Sequence, residues 1–417
     1  MFNIIILGIV SLLTDVSTEM VYPLLPLFLT TRLGASPAIV GLIEGIAESL
    51  ASLLKVFSGY ISDRFGRRKP LAILGYGSST AGKIILYLAG SWPMVLLARV
   101  VDRFGKGIRT APRDALIADS ANKEMRGRAY GLHRTLDTLG ASLGVFLAYY
   151  FMTTYKGEFS RVFLWAMVPA ILGVAVLFFA RETAGRQEKA GEVAASSEAA
   201  SGMASRMNAP EADASRTEVS GQRKTGFSGK AKLPSLSWSR LDRRLRGFLI
   251  VVFIFALGNS SNQFLLLRAR NLHFSASDVL LTYLVYNLVY SLLSYPAGRL
   301  SDQIGRKTLL VAGYAMYGLV YIGFAFANAS WQIWLLFAAY GSYIALTEGV
   351  EKALVADIAP VELRATTIGL HATLVGIGLF PASLLAGLLW NAFGPQATFY
   401  FGGIMGLLAA IGIWVVV

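Results

Sequence analysis

Long apolar runs alternate with short polar breaks along almost the whole chain. A bilayer crossing needs about 20 mainly apolar residues. Twelve stretches meet that length: 3–31, 37–62, 70–90, 93–121, 124–151, 159–181, 245–270, 276–300, 306–328, 330–358, 361–390 and 395–417. Residues 182–244 break the pattern. They are rich in Ala, Ser, Gly, Glu, Lys and Arg, with almost no large apolar side chains, and such a segment cannot bury enough surface to fold. The pattern therefore predicts an all-α integral membrane protein: a six-helix bundle over 1–181, a flexible linker over 182–244 and a second six-helix bundle over 245–417. The first stretch carries Asp15 and Glu19 and has no small-residue cleavage site, so it is expected to be a retained helix and not a signal peptide.

Composition agrees. Of 417 residues, 55% are hydrophobic and 15% charged, against roughly 45–50% and about 25% in soluble proteins. There are no cysteines, which excludes disulfides and thiolate metal sites. The three histidines, His133, His273 and His371, are too few for a histidine-rich metal site. The chain contains no GxSxG, HExxH or GxxxxGK[ST], the common hydrolase and nucleotide-phosphate motifs. Neither an enzyme nor a bound cofactor is expected.

The net charge is +13. A nucleic-acid binder displays its basic residues on a soluble face, and this chain is too apolar for that. With both termini inside, the short inner loops carry Arg64, Arg67, Arg68, Lys69, Lys123, Arg126, Arg128, Arg306, Lys307 and Arg364. The outer loops carry only Arg32, Lys156, Arg161, Arg268 and Arg270. This bias predicts a multi-pass protein of a bacterial plasma membrane with cytoplasmic termini and linker. Arg240, Arg243, Arg244 and Arg246 at the linker's end suit anionic lipid headgroups.

The halves repeat each other. GYISDRFGRRK at 59–69 recurs as GRLSDQIGRK at 298–307, aligning Asp63 with Asp302 and Arg67 with Arg306. ALIADSANKEMRGRAYGLH at 115–133 recurs as ALVADIAPVELRATTIGLH at 353–371, aligning His133 with His371. Two parallel repeats place a solute path at their interface near the bilayer midplane.

The 59–69 loop resembles the G-x-L-x-D-R-x-G-R-[RK] signature of the major facilitator superfamily of secondary transporters, with Ile61 in place of Leu. The resemblance covers essentially the whole chain outside the linker. In span four, Arg99 and Gly105 match a motif of proton-linked members, while Arg103 stands where a glycine is usual. In span five, Gly140 and Gly144 match an exporter motif, while Val145 replaces its proline. The resemblance implies two six-helix bundles, alternating access, a small-molecule substrate, protons as the coupling ion and a monomer in the lipid bilayer. It also implies a gating role, without substrate contact, for Gly59, Asp63, Arg64, Gly66, Arg67, Arg68, Asp302 and Arg306.

Ionisable side chains at bilayer depth cost about 2.5–3.5 kcal/mol or more and survive by facing a partner or a wet cavity. Span four holds Arg99, Asp102, Arg103, Lys106, Arg109, Arg113 and Asp114. At about 100° per residue its five cations fall within an arc of roughly 120°. Span one supplies Asp15 and Glu19, span two Glu44, Glu48 and Lys55, span five His133, Arg134 and Asp137, and span ten Glu348, Glu351 and Lys352. The matching part of span seven is neutral, with Asn259, Asn262 and Gln263, and span eight carries Tyr283, Tyr286, Asn287 and Tyr290.

Two readings follow. In one, the charges neutralise each other and lock the first half as a rigid body. In the other, Arg103, Lys106 and Arg109 attract an anionic substrate, while Asp15, Glu19, Glu44 or Glu48 takes up and releases a proton. Glu348 and Glu351 are expected to do the same job from span ten, with Arg99 and Asp137 completing the set. His133 and His371 are expected to serve packing or gating. Pro23, Pro26, Pro112 and Pro381 are expected to kink helices. Gly41–Gly45 and Gly140–Gly144 are expected to bring helices of one half together, and Trp92, Trp165, Trp331, Trp334 and Tyr155 to anchor at the membrane interface. The expected function is secondary active transport of a small charged or polar organic solute, proton-coupled, with efflux one of its possible directions. The alternative is a non-transporting sensor or scaffold on the same fold.

Overall fold

The computed structural model describes residues 2–65, 68–121, 126–182, 242–359 and 364–417. Among them, twelve helical spans follow in order: α1 (Phe2–Arg32), α2 (Pro37–Phe65), α3 (Arg68–Tyr87), α4 (Trp92–Ser120), α5 (Arg126–Thr154), α6 (Phe159–Leu177), α7 (Arg243–Asn271), α8 (Ala276–Ile304), α9 (Arg306–Phe326), α10 (Ser330–Ile358), α11 (Arg364–Phe393) and α12 (Pro395–Val416). Nine are long and apolar enough to cross a membrane. The exceptions are α3, α4 and α5. Their polar side chains must be shielded by protein, and α4 accordingly packs against α2 and α3, with α1 beside it.

Two spans are discontinuous. In α1, Pro23 and Pro26 coincide with a change from α-helix at Val21 to a 3₁₀ turn at Tyr22–Leu24, and a π-helical turn follows at Phe28–Arg32. Proline supplies no N–H for the helical ladder. In α7 the helix stops at Gly258 and resumes at Gln263, across the run Asn259-Ser260-Ser261-Asn262. No proline is involved there. Short polar side chains compete with the backbone for hydrogen bonds, and tyrosines receive the freed groups. Tyr317 donates to the Gly258 carbonyl at 3.0 Å, and Tyr340 donates to Asn262 Oδ1 at 2.7 Å. Pro112 and Pro381, by contrast, lie inside the single helices α4 and α11.

The first half packs α1 on α5 and α6 and α3 on α4. The second packs α9 on α10 and α12, α8 on α10, and α7 on α11 and α12. The halves meet along α2–α11 and α5–α8. Gly140 and Gly144 face the Leu12 and Val16 backbone of α1, within one half as expected. Gly41 and Gly45 do not follow that expectation. They face Ser383 and Phe380 of α11, across the two halves, and a Cβ on Gly45 would lie 2.9 Å from the Phe380 carbonyl oxygen. A small-residue pair fixes how closely backbones approach and leaves the partner open.

The end of the bundle where the chain leaves at Glu182 and returns at Asp242 is called here the linker end, and the opposite one the far end. At the far end the halves are closed. The tip of α1 packs against Gln263–Asn271 of α7, Tyr22 and Ser261 hydroxyls lie 3.5 Å apart, and the Ser261 N–H donates to Ser383 Oγ at 3.2 Å. Buried Arg268 caps α9 there, donating to the carbonyls of Phe324 (3.0 Å) and Ala327 (2.8 Å).

At the linker end each half carries the same clamp. Arg68 pairs with Asp119 and donates to the Ala115 carbonyl. Arg306 pairs with Asp357 and donates to the Ala353 carbonyl. Each residue of the first clamp lies 238 positions before its counterpart, the offset of the 115–133 and 353–371 repeat, so by its contacts Arg68 answers to Arg306, where the alignment of the 59–69 and 298–307 loops had matched Arg67. Asp302 lies 3.9 Å from Arg306. The Glu182 carboxylate accepts from the Arg68 and Lys69 backbone N–H groups, both at 2.9 Å, and so caps α3. Gly66, Arg67 and the linker over 183–241 lie outside the described residues, and of Gly59, Asp63 and Arg64 only the helical backbone is described.

Candidate functional site

The basic stripe of α4 divides among three neighbours. On the α2 side, Arg99 donates to both oxygens of Glu44, at 2.8 and 2.9 Å. Glu44 is fully buried. One turn on, Arg103 meets Glu48 at 2.9 Å, and Glu48 lies 3.8 Å from Arg99. The Tyr22 ring sits beside both guanidinium groups, 5.6 and 5.9 Å from its centroid. On the α3 side, Arg109 donates to Ser79 Oγ and lies 4.5 Å over the Tyr76 ring. Toward α5, Arg113 pairs with Asp114 at 2.8 Å and donates to Ser11 at 3.3 Å, and Ser11 donates to Asp137. His133 Nδ1 is 3.8 Å from Asp137.

Three further charges sit at the centre. Asp15 and Glu19, one turn apart on α1, are half-buried, and Lys106 is exposed at the middle of α4. Among the described residues, none of the three makes an ion pair within 4 Å, and Glu19 Oε2 has no hydrogen-bond partner. The charges that act on Lys106 include Arg103, Glu48, Arg109 and Asp15, and Lys106 in turn acts on Glu19. Its exposure at mid-helix therefore faces the space inside the bundle and not lipid. Gly144 of α5 packs closely on Glu19: a Cβ on Gly144 would lie 3.0 Å from the Glu19 Cβ.

Tyr283 of α8 approaches Glu19 from the second half. It belongs to a wall of rings: Tyr22 to Tyr283 at 6.1 Å, Tyr283 to Tyr286 at 5.3 Å and Tyr286 to Tyr340 at 5.5 Å. Toward the linker end, Arg134 of α5 donates to the Tyr290 hydroxyl of α8 at 2.6 Å, and that hydroxyl donates to Glu348 of α10, also at 2.6 Å. Lys352 lies 3.6 Å from Glu348. These groups line a cavity of about 370 Å³ between the halves.

Glu351, three residues from Glu348, points elsewhere. It accepts from Tyr314 at 2.8 Å and lies 3.5 Å from His371, on which Phe248 stacks at 6.1 Å. The structure thus groups Asp15, Glu19 and Lys106 in one place, Glu44, Glu48, Arg99 and Arg103 in a second, and Glu348 in a third. Arg109, Asp137 and Glu351 each lie among partners within their own half. Of the cations expected to meet an anion, Arg103 and Arg109 spend donors on Glu48 and Ser79. Sequence reasoning missed Lys83 of α3, 5% exposed and 3.3 Å from Thr18 of α1. The signal was present: it is the one charged residue between 70 and 90.

Comparison with known proteins agrees with this architecture. The profile of the Major Facilitator Superfamily matches residues 7–267 and 248–417. The chain is 34% identical over 415 residues to the uncharacterized MFS-type transporter MJ1317 of Methanocaldococcus jannaschii, covering 98% of this chain and 93% of the relative. A shorter likeness, 30% over 137 residues, covers 33% of this chain and 34% of multidrug resistance protein MdtH of Yersinia enterocolitica. The nucleoside transporter NupG superposes with a TM-score of 0.76 at 11% identity, over 100% of this chain and 99% of that one. A D-xylose-proton symporter gives 0.72 at 17% identity, over 100% and 98%. These two structures speak to the fold. With the family profile spanning both halves and a full-length transporter relative, the chain belongs to the major facilitator superfamily and is a multi-pass membrane transporter, not an enzyme.

Proposed function

We propose that the chain exchanges protons for a small organic solute that carries positive charge, by alternating access between its two halves. The observation that carries this reading is the set at the centre: Asp15 and Glu19 make no ion pair within 4 Å, Lys106 and Arg109 act on them only from farther off, and the tyrosine wall stands across from them. Arg109 is turned to Ser79 and Tyr76, and Lys106 touches neither carboxylate. A direct partner must therefore come from outside, because a poorly compensated charge at bilayer depth is costly. A proton and an organic cation compete for that place, and the competition couples their movements. Rings such as Tyr22, Tyr283 and Tyr286 add cation–π attraction, worth about 0.5–2 kcal/mol. Glu44, Glu48, Arg99 and Arg103 hold the first half rigid under this reading, and the paired linker-end clamps serve gating.

The partial likeness to a multidrug resistance protein fits such a solute. The loop charges support cytoplasmic termini and linker, and thereby an inner mouth at the linker end. Calorimetric titration of the purified protein with tetraphenylphosphonium, in two buffers of different ionisation enthalpy, tests the competition. Heat that depends on the buffer, and loses that dependence in Glu19→Gln, is expected. Binding with the same heat in both buffers contradicts it.

A further inference from the structure

Lys83 and Asp102 line a cavity between α1, α3 and α4, within electrostatic reach of Asp15. Lys83 enters from α3, is 5% exposed, and donates to Thr18 Oγ1 at 3.3 Å. Lys83 and Asp102 face the same cavity without an ion pair within 4 Å, and each is the strongest charged neighbour of the other. Asp102 is 8% exposed. Its carboxylate lies 3.5 Å from Arg99 and 3.8 Å from Arg103, without a hydrogen bond from either, because both arginines are turned to Glu44 and Glu48. Buried carboxylates require donors, so Asp102 depends on what stands in the space beside it.

That space is a cavity of about 20 Å³, lined by Thr18, Tyr22, Gly82, Lys83, Arg99 and Asp102. About 10–15 Å³ suffices for one water. The walls are stiff, since a Cβ on Gly82 would lie only 2.7 Å from the Ala98 carbonyl oxygen and 2.9 Å from the Asp102 nitrogen. Arg99 and apolar side chains complete the lining, and the Tyr22 ring already has Arg99 and Arg103 beside it, so the Asp102 carboxylate and the Thr18 hydroxyl are the groups that a small monovalent cation would meet there. The chain fills that role with its own ammonium.

We infer that Lys83 is a tethered cation, occupying a site that binds a small free monovalent cation once the side chain is shortened. Lys83→Ala opens the room left by the side chain beside Asp102, whereas Lys83→Met keeps it filled and neutral. The purified full-length proteins are unfolded thermally in choline chloride, methylammonium chloride or sodium chloride at equal ionic strength. Lys83→Ala is expected to gain several degrees in methylammonium or sodium relative to choline, saturably. Wild type and Lys83→Met are expected to unfold at one temperature in all three salts. Lys83→Ser, which preserves a polar group, provides the same comparison if the alanine variant does not fold. No difference between choline and the small cations in the shortened variants overturns the inference, as does an equal response in wild type.

Discussion

Glu44 and Arg99 form a two-point pair inside the first half, with Nε and Nη2 of the arginine each donating to a separate carboxylate oxygen at 2.8 and 2.9 Å. Neither group has water to fall back on, since Glu44 is fully buried and Arg99 5% exposed. Removing one partner of a buried pair costs about 3–5 kcal/mol, whereas replacing both by apolar groups is often neutral. Glu44→Leu and Arg99→Met are each expected to lower the unfolding temperature sharply. The double variant is expected to recover most of that loss. A double variant no more stable than the worse single one would show that the pair is not what holds α2 on α4.

Arg134 and Glu348 are joined across the halves by one hydroxyl, that of Tyr290. Tyr290→Phe removes both bonds. Hydrogen bonds to charged groups contribute about 1.5–3 kcal/mol each, and 1.4 kcal/mol is a tenfold change in an equilibrium. The variant is therefore expected to shift the conformational equilibrium toward wider separation at the linker end by at least tenfold. The chain has no cysteines, so spin labels on Phe57→Cys and Tyr295→Cys, both exposed positions, report the distance. An unchanged distance distribution would refute a role for this link.

The two small-residue pairs give different outcomes. Gly41→Ala pushes α2 from α11, across the halves, and is expected to loosen the far-end closure. Gly140→Ala pushes α5 from α1 within one half and is expected to lower stability while far-end distances stay as they are. Label pairs spanning α1 and α7 at the far end separate the two. Equal distance changes in both variants would contradict the assignment of their partners.

Much of this architecture was legible beforehand. Twelve spans and the repeat announce themselves in apolar runs and in paired motifs, whereas Asp119 and Asp357, the acidic partners of the linker-end clamps, were visible only in the packing. Partners were harder to read. Gly41 and Gly45 encode close approach, and nothing local says that α11 is what approaches. The five cations of α4 share one arc of the helical wheel, but that arc is wide enough to touch α2, the central space, α3 and the α5 side in turn, so a single stripe became four environments. The break in α7 was written as Gly258-Asn259-Ser260-Ser261-Asn262, a run that competes with the helix without proline. Lys83 was visible as a lone charge in span three, and only packing revealed Thr18 and Asp102 beside it.

The central claim is that a positive solute and a proton compete for the unpaired carboxylates of α1. Proteoliposomes holding a pH-sensitive dye measure it directly when tetraphenylphosphonium is added on one side without an imposed pH gradient. Wild type is expected to move protons opposite to the solute, and Asp15→Asn and Glu19→Gln to abolish most of that signal while still incorporating into membranes. Solute-evoked proton movement that persists undiminished in both variants, or no such movement in wild type, would contradict the account.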